Sequence, residues 1–189
     1  MVCLNKEMNI RQWLYREQVE STNDWMKVNY ERLTVGTCLY AQTQTSGRGR
    51  GSNRWQSPKG GLYFSVLLSK GPKLPNTNLL MSHFSYHAKE FLNNRFHLKI
   101  EFKSPNDLHV NGCKLMGVLI DNLFHGNRLA ACILGVGLNV NNELKDSISW
   151  NNGTAVSLQE LLGKESDLDQ NKLMVEMLES YDNHDLIII

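Results

Sequence analysis

Two groups of residues in this chain are typed and spaced for chemistry on an anion. The first is Ser46-Gly47-Arg48-Gly49-Arg50-Gly51-Ser52-Asn53-Arg54-Trp55, in which glycines alternate with arginines and a tryptophan closes the run. Glycine lets backbone N–H groups approach a bound anion, and arginine adds planar charged donors. So much glycine costs conformational entropy and packs nothing, which leaves the segment little reason to be ordered alone. It reads as a clamp that orders around a phosphate-bearing ligand, or equally as a basic surface loop or nucleic-acid-binding segment. It lacks the glycine-lysine-serine/threonine ending of a P-loop and does not match a dinucleotide fingerprint. The second group is Lys103-Ser104-Pro105-Asn106-Asp107, followed by Asn111-Gly112-Cys113-Lys114. Pro105 stops a ladder and Asn106 favours a turn. With a tight turn at Asn111-Gly112, Asp107 and Lys114 fall on opposing strands. They form either a cross-strand ion pair on a solvated face or a carboxylate and an ammonium converging on one phosphoryl centre.

Both groups need strands to hold them. Residues 37–43 are β-rich and lead into the clamp, and the apolar run Gly61–Leu68 leaves it, so the clamp has anchored ends and a mobile middle. Ser21 caps a helix, with Asp24 three residues on, and Trp25, Val28 and Leu33 give that helix a partial apolar face. Asn76 to Phe91 carries Leu79, Leu80, His83, Phe84, His87 and Phe91 at helical spacing and is the main helix. His83 and His87 stand four apart, but no third ligand accompanies them, so they are packing or surface residues. Residues 98–103 alternate as a strand, 107–110 and 114–124 form a hairpin, and His125-Gly126-Asn127 turns into a strand over Arg128–Val140. Ser157-Leu158-Gln159-Glu160 is a capping box opening a short helix, and Leu168, Leu173, Met174, Met177, Leu178 and Tyr181 outline a last amphipathic one. Hairpins and segregated helices, without regular βαβ alternation, predict an α+β fold: a mixed, mainly antiparallel sheet with helices packed on one face. The apolar end Leu186-Ile187-Ile188-Ile189 is a last strand, an interface or a truncated end.

The totals narrow the function classes. A chain of 189 residues is enough for one well-cored domain, and 41% apolar with 21% charged residues is ordinary for a globular protein. The net charge of +1 gives no general attraction to nucleic acid. No apolar run is long enough to span a bilayer, and the acidic, short-cored N-terminus is no signal peptide. Cys3, Cys38, Cys113 and Cys132 show no paired spacing and read as free thiols of a reducing cytoplasm, with neither a disulfide frame nor a zinc site.

Six segments taken in order resemble the catalytic domain of the biotin–protein ligases, within the biotin/lipoate ligase superfamily. They are Glu20-Ser21-Thr22-Asn23; Gln44 with Gly47-Arg48-Gly49-Arg50; Arg54-Trp55-Gln56-Ser57-Pro58 with Gly60 to Ser65; Lys103 to Asp107; Lys114-Leu115-Met116-Gly117-Val118-Leu119; and Gly135-Val136-Gly137-Leu138-Asn139-Val140. The likeness covers roughly residues 12–182. It implies a fold like the class II aminoacyl-tRNA synthetases and a reaction in two steps. Biotin and MgATP give biotinyl-5′-AMP, and biotin then passes to a lysine of a biotin carboxyl carrier protein domain. It implies a monomer or weak homodimer with no nucleic-acid or membrane partner and no tightly bound metal.

The resemblance also implies roles. Ser21, Thr22, Asn23 and Gln44 line the polar end of a biotin pocket, completed by backbone at Gly47 and Arg48. Gly117, Gly135 and Gly137 let backbone lie against the thiophane ring and valeryl tail, a bulge or close packing being the alternative for each. Arg48, Arg50 and Lys114 meet carboxylate and phosphate. Trp55, Asn106 and Asn139 border the nucleotide; Trp55 offers a flat face to adenine, helps order the clamp, or packs in the core. Lys114, Arg50 and Asp107 are the implied catalytic residues, with Asp107 orienting Lys114, holding Mg²⁺ or accepting a proton in the second step.

The chain departs from the pattern at Ser104, where many relatives carry tryptophan, and at Gly51-Ser52-Asn53, which is less basic than in some. It is expected to be a single domain over 1–189, with no room for an N-terminal winged helix and the small C-terminal β-domain absent or vestigial. The alternatives are a lipoate or octanoate ligase, a biotin-binding protein without turnover, and a nucleic-acid module using the arginine loop. The arginine-glycine clamp argues for biotin over lipoate.

Overall fold

The computed structural model describes residues 9–71, 76–144, 154–163 and 165–182. In chain order its elements are β1 (Gln12–Val19), α1 (Thr22–Asn29), a 3-10 turn (Tyr30–Arg32), β2 (Thr37–Gln44), β3 (Leu62–Lys70), α2 (Thr77–Phe96), β4 (Glu101–Lys103), β5 (Asp107–Val110), β6 (Cys113–His125), β7 (Arg128–Leu138), α3 (Leu158–Leu162) and α4 (Gln170–Asp182). The strands form one seven-stranded sheet in the order β1-β2-β3-β7-β6-β5-β4. Among the seven strands only β1 and β2 pair in parallel; the other strand pairs are antiparallel. The mixed, mainly antiparallel sheet is the one expected.

Successive side chains on a strand point to opposite faces, and β3 and β7 use both. Leu62, Phe64 and Val66 of β3 and Leu134, Val136 and Leu138 of β7 face α2, α3 and α4 and share a core with Phe84, Leu92, Leu158, Met174 and Met177. The intervening Leu67, Ala131 and Ile133 turn the other way and pack with Met26 of α1. Burial on both faces explains why these strands read as nearly continuous apolar runs. The expectation of helices on one face therefore holds for α2, α3 and α4, while α1 lies on the opposite face. The candidate site shares that face: Ser65 of β3 and Gly135 and Gly137 of β7 alternate with the core residues.

Several boundaries differ from expectation for local reasons. β1 was not anticipated. It is the edge strand, mostly exposed, and its Trp13 and Tyr15 face outward where a buried strand would carry its apolar side. The main helix runs on to Phe96, where His97 stops it in the left-handed conformation at φ 54°. Residues 98–100 then do not join the ladder: the Ile100 N–H donates to Asn93 Oδ1 (2.9 Å), leaving β4 to begin at Glu101. The Asn111-Gly112 turn is as predicted, both residues having positive φ (51° and 79°). The capping box at Ser157 forms with Glu160. His83 bonds Tyr181 (3.0 Å) and His87 bonds Ser180 (2.9 Å), so the histidine pair joins α2 to α4. Residues 186–189 lie outside the described residues.

Candidate active site

The site is a cavity of about 350 Å³ on the α1 side of the sheet. One end is built where β1, α1 and β2 meet. Ser21 caps α1 by accepting from the Asp24 N–H (3.3 Å), which sets Thr22 and Asn23 in the first helical turn. Gln44 ends β2 beside them. Its Oε1 accepts from the Thr22 backbone N–H (2.8 Å) and its Nε2 donates to Ser57 Oγ (2.7 Å), so the amide has one orientation. Ser65, fully buried on β3, bonds Asn23 Oδ1 and stands 2.7 Å from Thr22 Oγ1. An added Cβ at Gly135 would run into the Asn23 amide, which explains the glycine there.

The loop from β2 to β3 carries the arginine-glycine run. It has more internal support than its glycine content implies. Thr45 and Ser46 donate to the Val19 and Glu20 carbonyls (3.0 and 2.8 Å), Trp55 donates to Gly47 (2.9 Å) and Gly49 to Asn53 (2.8 Å), folding the segment into a small hairpin. A Cβ at Gly47 would strike the Trp55 carbonyl, so the return of the loop requires glycine. Arg48 does not reach across the cavity alone: its Nη1 donates to Asp24 Oδ1 (2.9 Å) and Asp121 Oδ2 (2.7 Å). Arg50 is exposed, lines the cavity, and has no carboxylate partner among the described residues.

The other end rests on the β5–β6 hairpin. Lys114 Nζ lies 2.8 Å from Asp107 Oδ2 and 5.3 Å from the centre of the Trp55 ring. The Trp55 indole lies over Gly117, whose added Cβ would meet it at 3.1 Å, and over Gly137, whose added Cβ would overlap it. The two glycines thus admit a flat ring against the sheet, and Trp55 takes that place. The Asn106 and Asn139 side chains are committed to the frame. Asn106 Nδ2 donates to the Val118 carbonyl (2.9 Å), and Asn139 Nδ2 to the Lys114 carbonyl (3.3 Å). His109 Nδ1 faces the Gly112 carbonyl (3.2 Å), so it carries the proton and Nε2 is left as an acceptor. At this end Trp55 Nε1, Asp107 Oδ1 and His109 Nε2 are buried without hydrogen-bond partners. Buried polar groups are normally paired, and three unpaired ones lining one cavity mark a place for a polar ligand.

The model of the biotin/lipoate A/B protein ligase family matches residues 14–139. The chain belongs to that family. Its sequence is similar to biotin–protein ligase 2 of Arabidopsis thaliana, at 32% identity over 135 residues, 69% of this chain and 41% of that protein. It is also similar to the bifunctional ligase/repressor BirA of Bacillus spizizenii, at 28% over 166 residues, 87% of this chain and 51% of that protein. In structure it is similar to the biotin protein ligase of Aquifex aeolicus in complex with biotin and ATP, with a TM-score of 0.78 and 30% identity, covering 92% of this chain and 69% of that one. The chain thus spans about half or less of these two curated relatives.

Within this ligase family member, the residues expected to share one ligand are brought together. Ser21, Thr22, Asn23, Gln44, Arg48, Arg50, Trp55, Asn106, Asp107, Lys114, Gly117, Gly135, Gly137 and Asn139 all line the cavity, and Gly47 stands behind them supporting Trp55. Asp24, Lys27, Ser57, Ser65, His109 and Asp121 were missed. Asp121 left a signal, as a lone acid inside the apolar run of β6; Ser57 and Ser65 stood in the matched segments and Asp24 beside the helix cap without a site role, and Lys27 and His109 left none. Among the described residues no three or more His, Cys, Asp or Glu gather as metal ligands, and no helix is long and apolar enough to cross a membrane.

Proposed function

We propose that this chain activates biotin with ATP to biotinyl-5′-AMP and passes biotin to a lysine of a biotin carboxyl carrier protein domain. The observation that carries the reading is the shared cavity. Cations from two distant segments, Arg50 in the β2–β3 loop and Lys114 on β6, border the same space as the polar end at Ser21, Thr22 and Gln44.

A carboxylate is a poor acyl donor, so it is first made a mixed anhydride. A biotin carboxylate oxygen attacks the α-phosphorus, and the bond to pyrophosphate breaks. Negative charge grows on the phosphoryl oxygens, where the Lys114 ammonium and the Arg50 guanidinium stabilise it. One such positioned donor is typically worth about 10²–10³ in rate. The 2.8 Å ion pair supports the orienting role for Asp107, since it holds Lys114 in place. Mg²⁺ arrives with ATP, and a single carboxylate oxygen, the unpartnered Asp107 Oδ1, fits the sparse protein coordination usual for that ion. The acceptor amine then attacks the acyl carbon, loses a proton, and AMP leaves. The hairpin over the cavity shields the anhydride from water. The unpaired, buried thiols of Cys38 and Cys132 fit a reducing cytoplasm.

The test is incubation of the chain with labelled biotin, ATP and an acceptor domain, repeated with lipoate. Covalent label from biotin supports the reading. Label from lipoate alone reassigns the substrate, and binding without transfer removes the second step.

A further inference from the structure

We propose that Asp121 is the positioning residue that sets both the polar end of the cavity and the anchored half of the arginine loop. The inference rests on the biotin reading for the identity of the ligand, but not for the geometry. Asp121 is 15% exposed and does not border the cavity, so it acts only through its neighbours. Its Oδ2 accepts from Arg48 Nη1 at 2.7 Å, Asn23 Nδ2 at 2.9 Å and Lys27 Nζ at 3.0 Å. Arg48 and Lys27 also share Asp24 Oδ1, at 2.9 and 3.2 Å, which closes a network of two acids and two bases.

The chemistry of the donors makes this network directional. An ionised carboxylate only accepts, so Asn23 must turn its NH₂ to Asp121 and its carbonyl to Ser65. The carbonyl only accepts, so the single Ser65 proton goes to Asn23. The Thr22 hydroxyl, between Ser65 Oγ and Gln44 Oε1 (3.2 Å), must then be a donor. Gln44 is fixed by the Thr22 N–H and by Ser57. This half-buried charge thereby decides the orientation of the cavity-lining Asn23 amide and the direction of the Ser65 proton. The same oxygen ties the first clamp arginine to β6, which leaves Arg50, two residues on, for the ligand.

The experiment compares the parent chain with Asp121→Asn and Asp121→Glu. Asp121→Asn is nearly isosteric but neutral, so it no longer enforces the Asn23 orientation and loses its ion pair with Arg48. For adenylate formation from biotin and ATP, the expected result is a rise of about tenfold in KM for biotin, the size of one charged hydrogen bond. kcat and KM for ATP should change little. Asp121→Glu, which keeps the charge, should lie closer to the parent. Without any ligand, trypsin should cut after Arg50 and Arg54 faster in Asp121→Asn, because Arg48 has lost a partner. A parental KM for biotin in Asp121→Asn overturns the inference, as does a uniform loss in kcat, both KM values and Tm that Asp121→Glu shares. Equal trypsin rates overturn its clamp half. If the parent neither binds biotin nor makes adenylate, the biotin reading falls, and the ligand-free proteolysis still judges the role of Asp121.

Discussion

The two ends of the cavity are finished to different degrees. At the α1 end, the side-chain polar atoms of Asn23, Ser65 and Gln44 all have partners, and the charges of Arg48 and Asp121 are paired. At the β5–β6 end, Trp55 Nε1, Asp107 Oδ1 and His109 Nε2 have none. A fully satisfied network is rigid before a ligand arrives; an unsatisfied one carries a desolvation cost that a ligand relieves. The difference separates a preorganised end from one left to be completed. The α1 end is held by paired groups, while the β5–β6 end has a floor of glycine, a covering indole and a lysine–aspartate pair.

The largest expected effect falls at the unfinished end. Lys114→Ala removes the ammonium but none of the groups at the α1 end. Adenylate formation should drop about 10²–10³-fold, with biotin binding retained in equilibrium dialysis. Loss of biotin binding in step with rate would mean that the two ends are not separable.

A second pair of variants sharpens the same contrast. Ser65→Ala strands the Asn23 carbonyl in a fully buried position, at a cost of about 1–3 kcal/mol, and lowers the unliganded Tm. His109→Phe removes the unpartnered Nε2 together with the exposed Nδ1–Gly112 hydrogen bond, so the unliganded Tm should change little, while the KM for ATP rises severalfold. Thermal unfolding of both variants, with and without ATP, checks this. If His109→Phe melts well below the parent without ligand, His109 is part of the frame and the unfinished end is not what it is taken for.

The lining of the cavity was largely legible in the sequence because glycine, arginine and the Asn-Gly turn are local signals. Gly135 and Gly137 mark β7 as a floor, and Asn111-Gly112 puts Lys114 on the strand that pairs with the one carrying Asp107 without any tertiary information. Asp24, Lys27 and Asp121 were not legible as a group. They lie 3 and 94 positions apart in sequence, and only the packing of α1 on β3 and β7, with β6 next to β7, joins them. An arginine beside two carboxylates cannot be inferred from the loop alone. β1 escaped for a different reason: an exposed edge strand has no buried face to impose alternation. α1 took the second face because Leu67, Ala131 and Ile133 needed a cover, a demand that appears only once the register of β3 and β7 is known.

The smallest effect concerns two thiols, one behind each end. Cys113 is half-buried at the start of β6, bonded to Thr154 (3.1 Å) at the unfinished end. Cys132 is buried on β7 behind the finished one; burial, with Asp121 adding to it, pushes its pKa up to about 12 from an ordinary 9.0. The thiolate is the nucleophile, so at pH 8 iodoacetamide should label Cys113 and leave Cys132 unmodified in the native protein. The same shift has a sign for stability. The thiol is neutral in the fold, and its folded value lies above the unfolded one. Its contribution is therefore complete below about pH 9 and declines as the pH climbs from 9 toward 12. Mass spectrometry of labelled peptides gives the order of reaction. Equal labelling of Cys132 and Cys113 in folded protein would show that the Asp121 end opens as readily as the other, and the contrast between the two ends would not survive it.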